Sequence, residues 1–367
     1  MKMNIRPNRS HLEATMVSGP LPILRWGIIG TGMISSWFVS DLSLDRHDKK
    51  ANHIIQAVGS SSTEKGRNFV EKHLPGKTPA VYGSYQELYE DPNVDIVYVG
   101  TPHAFHKQNC LDAIRAGKHV LCEKAFSLNT HEAKEIFAEA KRQGVFVMEA
   151  MWTRFFPLVQ KLRDLLHRDK VIGDIQRVFC DFSMPMDIPS LPSTSRLKNP
   201  ALGAGSLLDI GIYSVTWVIL ALEAELGQET PQLVASQRLN GGIDIATSVI
   251  LGYPDGKQGI ATCSTLTKTP SSFARIEGSQ GIITVDGFAA SAPAFFTVHI
   301  KDQEPQKYEF ERPGKGFYWE ADAVALDIAA GRKENEVMPW AETLRVMRWM
   351  DDIRHQGGAK FPQDEDL

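Results

Sequence analysis

Six residues, Gly30-Thr-Gly-Met-Ile-Ser35, follow a β-rich apolar run and open a helical one. In that context a G-x-G-x-x-G/A pattern means dinucleotide binding. Gly30 permits the tight turn, Gly32 lets backbone N–H groups approach a pyrophosphate at the positive end of the helix dipole, and Ser35 is small enough for close helix packing. Gly30, Thr31, Gly32, Met33 and Ile34 are therefore candidate cofactor contacts. The second strand ends Val58-Gly-Ser-Ser-Ser62, without the acid that would accept hydrogen bonds from a ribose 2′-OH. Hydroxyls from Ser60 onward, with Lys65 and Arg67 behind them, suit a 2′-phosphate and favour NADP over NAD. The plain alternative is a solvated serine-rich loop.

Ligands of an open parallel sheet lie beyond the carboxyl ends of its strands, so the residues just after each strand matter most. Strand four is followed by Gly100-Thr-Pro-His-Ala-Phe-His106, strand five by Glu123-Lys124 and strand six by Glu149. Thr101 and Pro102 could wall a nicotinamide, and His103 or His106 could reach substrate; a surface loop with incidental histidines reads equally well. A lysine at this edge is costly unless paired or employed, with a structural salt bridge as the plain reading of Lys124. Asp209 and Tyr213, four apart, share one face of an otherwise apolar helix. A nearby cation such as Lys124 would make Tyr213 a usable proton acceptor; otherwise the tyrosine is merely satisfied by Asp209. His106, Cys110 and His103 begin a zinc pattern that no further residue completes, so no metal is expected.

The elements that must hold these residues follow from periodicity. Over residues 23–150, six short strands alternate with helices, which reads as a doubly wound parallel sheet, an α/β dinucleotide domain. A helix over residues 152–167 follows. Longer alternating runs then occupy 175–183, 233–239, 246–251, 259–266, 272–277 and 282–285, and the turns Tyr253-Pro-Asp-Gly256 and Gly278-Ser-Gln-Gly281 join antiparallel neighbours. Residues 151–367 thus form an α+β domain on a large, mostly antiparallel open sheet. Two terminal helices, over 318–330 and 341–355, are free to pack back on the first domain. Residues 1–22 read as a loose extension.

Composition removes other classes. The chain has 367 residues, with 40 Lys+Arg against 44 Asp+Glu, which argues against a nucleic-acid surface. Four dispersed cysteines suit a reducing, cytoplasmic setting. The apolar stretch 207–222 is too short and too interrupted for a membrane span and reads as a buried helix.

GTGMIS at 30–35, GTPHAFH at 100–106, AGKHVLCEKA at 116–125, MEAMWTRFFP at 148–157 and GSLLDIGIY at 205–213 occur in an order that resembles the glucose-fructose oxidoreductase, inositol dehydrogenase and rhizopine-catabolism family. The resemblance runs from about Leu24 to Pro362. It implies a Rossmann domain and an open-sheet domain, with Lys124 the essential lysine, Tyr213 the general acid/base and Asp209 a substrate-orienting carboxylate. Ser60 and Lys65 would lie near the 2′-phosphate of NADP. Thr101, Pro102, His106 and Glu123 would stand on the cofactor side, and His103, Trp152, Arg154 and Phe155 on the substrate side. Tyr213, where many members carry histidine, is similar to the branch of dimeric dihydrodiol dehydrogenase and D-xylose 1-dehydrogenase. That implies oxidation of a sugar C1-OH to a lactone, with a trans-dihydrodiol as alternative substrate and a non-catalytic NADP-binding regulator as the alternative of another class. It also implies a homodimer through the open sheet face. One departure is plain: the family's Glu-Lys-Pro reads Glu123-Lys124-Ala125. A short-chain-dehydrogenase Tyr-x-x-x-Lys is excluded, because Tyr253 to Lys257 is a turn.

Overall fold

The computed structural model describes residues 20–366. The extension expected over 1–22 lies outside that range except for its last three residues, where the Pro22 carbonyl accepts a hydrogen bond from Asn52 N. Six strands, β1 (Ile23–Ile29), β2 (Asn52–Gly59), β3 (Ala80–Tyr82), β4 (Ile96–Val99), β5 (His119–Glu123) and β6 (Val147–Ala150), pair in parallel in the order β3-β2-β1-β4-β5-β6. The order reverses between β1 and β4, which opens a crevice at their carboxyl ends. Strands covered on both faces read as continuous apolar runs, as in fully buried Ile96-Val-Tyr-Val99.

Helices α1 (Met33–Leu42), α2 (Thr63–His73), α3 (Tyr85–Glu90), α4 (His106–Arg115) and α5 (Thr130–Gln143) cover this sheet. Ser62, Ser84 and Asn129 cap α2, α3 and α5 through their side chains. By contrast α1 begins at Gly32 with no side-chain cap and no acid in its first turn, so its leading amides are available to a ligand.

The single helix expected over 152–167 is instead three pieces: a 3-10 turn at Trp152–Phe155, α6 (Pro157–Arg163) and a π turn at Asp164–Arg168. Pro157 forces the break, because it fits only the first helical position and holds Phe156 in an extended conformation.

The second sheet contains β7 (Ile175–Ser183) and, after α7 (Ile212–Leu222), β8 (Gln232–Asn240), β9 (Ile243–Gly252), β10 (Gln258–Ser264), β11 (Ser272–Gly278), β12 (Gly281–Ala289), β13 (Ala292–Ile300) and β14 (Gln306–Glu309). Its order is β14-β13-β12-β11-β7-β10-β9-β8, antiparallel except where β7 meets β10. The two tight turns join β9 to β10 and β11 to β12, as their chemistry predicts. Strands β13 and β14 were not expected. Every residue of α7 is buried, in keeping with its reading as a core helix.

The last helices tie the halves together. The Asp41 carboxylate at the end of α1 accepts hydrogen bonds from the backbone of Lys315, Gly316 and Phe317, where α8 (Phe317–Ala329) begins. Asp322 of α8 pairs with Arg46 and His53, each at 2.9 Å. α9 (Trp340–Gly357) receives Thr130 N and Oγ1 on Asp351 at 2.9 and 2.6 Å. It also meets β8 through Gln356, whose Oε1 accepts from Ala235 N at 2.8 Å.

Candidate active site

At the crevice, Gly30 adopts φ +82°, and a Cβ there would come 2.7 Å from the Gly100 carbonyl oxygen; a Cβ on Gly32 would meet nothing within 4 Å. The first glycine is required by backbone geometry, and the second leaves an open approach to the α1 amides. Beside this cradle Thr31 Oγ1 lies 3.4 Å from Ser60 Oγ, and Lys65 Nζ donates to Ser61 Oγ at 3.1 Å. Hydroxyls and a cation therefore gather at the end of β2 with no carboxylate among them. Arg67 stands exposed two residues further along α2, on a different face from Lys65. Among the described residues it makes no hydrogen bond to Thr31, Ser60, Ser61 or Lys65. The uncapped helix, the open glycine and the anion-friendly cluster fit a phosphorylated dinucleotide.

The loop after β4 behaves unlike a surface loop. Thr101 Oγ1 accepts from Asn109 Nδ2 at 2.9 Å. His106 is fully buried, with Nδ1 3.0 Å from the Ala125 carbonyl oxygen and Nε2 2.8 Å from that of Thr101. Burial lowers its pKa to about 4 against those two carbonyls. It therefore clamps the chain just after Lys124 and has no free edge for a cofactor, which corrects its expected role. His103 bridges to the second half through Nδ1 and the Gly203 carbonyl oxygen at 3.2 Å; burial, His106 and Lys124 lower its pKa to about 3.

Lys124 directly follows β5 and is joined to Ala125 by a cis peptide. Its Nζ donates to the Asp209 carbonyl at 2.5 Å, lies 3.7 Å from Asp209 Oδ1 and stands 5.2 Å from the centre of the Tyr213 ring. Burial would raise the Asp209 pKa, but Lys124, Arg196 and His103 outweigh it and bring the carboxyl down to about 2. Tyr213 Oη accepts from Trp152 Nε1 at 2.8 Å. Lys124 stands near enough to favour the ionised phenol, but its charge does not prevail. Burial, then Glu123, Glu320 and Asp209, hold its pKa well above the usual value, against the Trp152 hydrogen bond. Tyr213 thus rests as a phenol, a proton donor.

Glu123, at the end of β5, accepts from Tyr98 Oη at 2.5 Å and is pushed up to about 7 by burial, despite Tyr98 and Lys124. Arg154, expected at the substrate, is instead buried on Glu342 of α9 at 2.6 Å. Such a charge needs its partner, so Arg154 ties the segment after β6 to α9 and its guanidinium is not free for substrate. Phe155 is half-buried against the core.

Three residues that sequence reasoning passed over complete the site. Arg196, from the loop between β7 and α7, places NH1 3.2 Å from Asp209 Oδ1. Asp244 of β9 accepts from Ser206 Oγ at 2.6 Å and Leu207 N at 2.7 Å, anchoring a π turn, Leu207–Gly211, that carries Asp209. Glu320 of α8 is fully buried, with neither carboxyl oxygen hydrogen-bonded among the described residues. None of the three carries a sequence signal beyond residue type. Among the described residues no three His, Cys, Asp or Glu side chains converge as a metal site, and all four cysteines are buried and free.

A phosphate cradle at the switch point of a parallel sheet, with Lys124 at the end of a strand of that sheet and Tyr213 brought in from the second half, is the arrangement of a dinucleotide-dependent oxidoreductase. The chain belongs to the GFO/IDH/MocA oxidoreductase family. The family's NAD-binding Rossmann-fold domain matches residues 24–151, and its C-terminal domain matches residues 159–284. Over 95 % of both chains it is 35 % identical to D-xylose 1-dehydrogenase (NADP(+)) of Hypocrea jecorina. It is 34 % identical to trans-1,2-dihydrobenzene-1,2-diol dehydrogenase of Sus scrofa, over 93 % of this chain and 99 % of that one. KijD10, a 3-ketoreductase from Actinomadura kijaniata solved with NADP and TDP-benzene, shares the fold at a TM-score of 0.76 and 23 % identity, covering 91 % of this chain and 98 % of that one. The aldose-aldose oxidoreductase of Caulobacter crescentus does so at 0.78 and 23 %, covering 91 % and 97 %.

Proposed function

We propose that the chain is an NADP-dependent dehydrogenase that oxidises a sugar hydroxyl, the C1-OH of an aldopyranose such as D-xylose, to the lactone. The observation that carries this reading is the close group of Lys124, Asp209, Tyr213 and Trp152, with Lys124 just past the end of β5 in the sheet whose first strand leads into the glycine cradle. Gly30 to Ile34 would hold the pyrophosphate, and Thr31, Ser60, Ser61 and Lys65 the 2′-phosphate. When bound, the nicotinamide supplies the hydride acceptor. Lys124 and the ionised Asp209 orient the substrate hydroxyl, and His103 walls it. Tyr213 carries the proton at Oη. As a phenol it gives that proton to a carbonyl in the reductive direction. In the oxidative direction it takes the hydroxyl proton once its own has left, with Trp152 N–H stabilising the oxygen.

The relatives support a sugar or a diol as substrate, and the loop bearing Arg196 makes the choice. Its residues Met186, Ile188 and Leu197 line a small cavity beside Asp209. The 34 % identity with the Sus scrofa enzyme across 99 % of that chain favours a trans-dihydrodiol as the second reading. A homodimer through the outer sheet face belongs to the same proposal; Val234 and Ile250, paired across β8 and β9, are 54 % and 47 % exposed on one face. A cytoplasmic setting is also proposed.

The test is NADP reduction across pentoses, hexoses and trans-dihydrodiols, repeated with NAD and with Lys124→Met and Tyr213→Phe. Each variant should lose about 10²- to 10⁴-fold in kcat while NADP affinity stays within about threefold. Turnover within about threefold of wild type would end the reading.

A further inference from the structure

The hydroxyl of Tyr213 is aimed by Trp152, and Trp152 is itself held from behind. Its indole stacks on Phe317, with ring centres 4.2 Å apart and planes 4° from parallel. Phe317 is the first residue of α8, and the turn that bears it closes around Asp41: the carboxylate accepts from Lys315 N at 3.0 Å, Gly316 N at 2.6 Å and Phe317 N at 3.0 Å. The fit admits no larger residues, since Gly316 sits at φ +104° and a Cβ on Gly314 would strike Asp41 Oδ1. Asp41 in turn lies in the last turn of α1, the helix whose first turn forms the phosphate cradle. A ten-residue helix is rigid over its roughly 15 Å length.

We propose that Asp41 is a positioning residue for the acid/base group: through the first turn of α8, Phe317 and Trp152 it fixes the Tyr213 hydroxyl relative to the helix that holds the cofactor phosphates. This inference rests on the reading of Tyr213 as acid/base. Every link is a hydrogen bond or a ring stack between buried groups, and the path crosses from the dinucleotide half to the substrate half. Asp41 touches neither the crevice nor Tyr213, so its substitution leaves the reacting groups in place and alters only their aim.

The groups acting on Tyr213 come from each element around it: Glu123 from β5, Lys124 just after it with Nζ 5.2 Å from the ring centre, Asp209 from the π turn, Glu320 from α8 and the Trp152 N–H. Of these, Lys124 and the Trp152 N–H favour the ionised phenol; the strut bears on Trp152 and not on Lys124, so loosening it makes Tyr213 harder to deprotonate. Asp41→Asn and Phe317→Leu should each lower kcat about tenfold, a usual penalty for small misplacements, with NADP affinity changed less than about twofold. Both should move the alkaline ionisation of Tyr213 upward, read without turnover as the ultraviolet difference titration of each protein against its Tyr213→Phe counterpart. In a Trp152→Phe background neither substitution should move it further, and Phe317→Tyr, which keeps the stack, should restore wild-type behaviour. An unchanged titration in Asp41→Asn, or shifts that add fully to that of Trp152→Phe, would overturn the strut. Unimpaired turnover in Tyr213→Phe itself would instead overturn the acid/base reading.

Discussion

The two walls of the crevice are built on opposite principles. The cofactor wall uses backbone and short side chains: a helix start with free amides, a glycine with open space before it, and hydroxyls beside one lysine. The substrate wall uses partly or wholly buried ionisable side chains whose proton affinities are displaced in both directions, Asp209 down to about 2 and Glu123 up to about 7. Recognition of a phosphate needs fixed donors that never change state. Moving a proton needs groups that do, and a dry environment that keeps them poised.

If the contrast holds, perturbing the cofactor wall should act on affinity and hardly on pH dependence. Gly30→Val sets a β-branched residue at positive φ against the Gly100 carbonyl; dinucleotide affinity, read by fluorescence titration, should fall about 100-fold. Lys65→Ala removes the cation that is hydrogen-bonded to Ser61 and should weaken NADP about tenfold while leaving NAD unchanged, which a parallel titration with both cofactors checks. An equal loss for both would show that Lys65 does not read the 2′-phosphate.

Perturbing the substrate wall should act on pH. Glu320 is held far above its ordinary value of 4.5, by burial and then by Glu123. In the unfolded chain it ionises near 4.5, so it detracts from stability increasingly as pH rises above that value. Glu320→Gln should therefore raise Tm by a few degrees at pH 8 and leave it unchanged at pH 4, where both states carry the proton. An equal shift at both pH values in thermal scans would assign the effect to packing.

Much of the cofactor wall was legible because its signal is local. Gly30 to Ser35 must follow a strand and begin a helix, and the period-two and period-3.6 patterns around it place both. The substrate wall was legible only in part. Lys124, Asp209 and Tyr213 stand out by type, but what tunes them comes from far along the chain. Glu320 lies 107 positions from Tyr213 and Glu342 lies 188 from Arg154. No spacing rule links such residues, so Arg154 passed for a cleft residue and Tyr213 for an acidified phenol. In the second sheet, β13 escaped because it opens Ala292-Pro-Ala294, where a proline normally argues against a strand. In the register that forms, Phe296 and Val298 face the core opposite Val285 and Ile283.

The π turn at Leu207–Gly211 amounts to one residue more than an α-helix would use. Removing a single residue from it would let α7 run on as a regular helix and swing everything before it by roughly 100°. The buried body of the helix would survive, while the Asp209 carboxylate would turn away from Lys124. This stretch is therefore a place where the length of the chain, more than the identity of any residue, separates an active descendant from a folded but silent one.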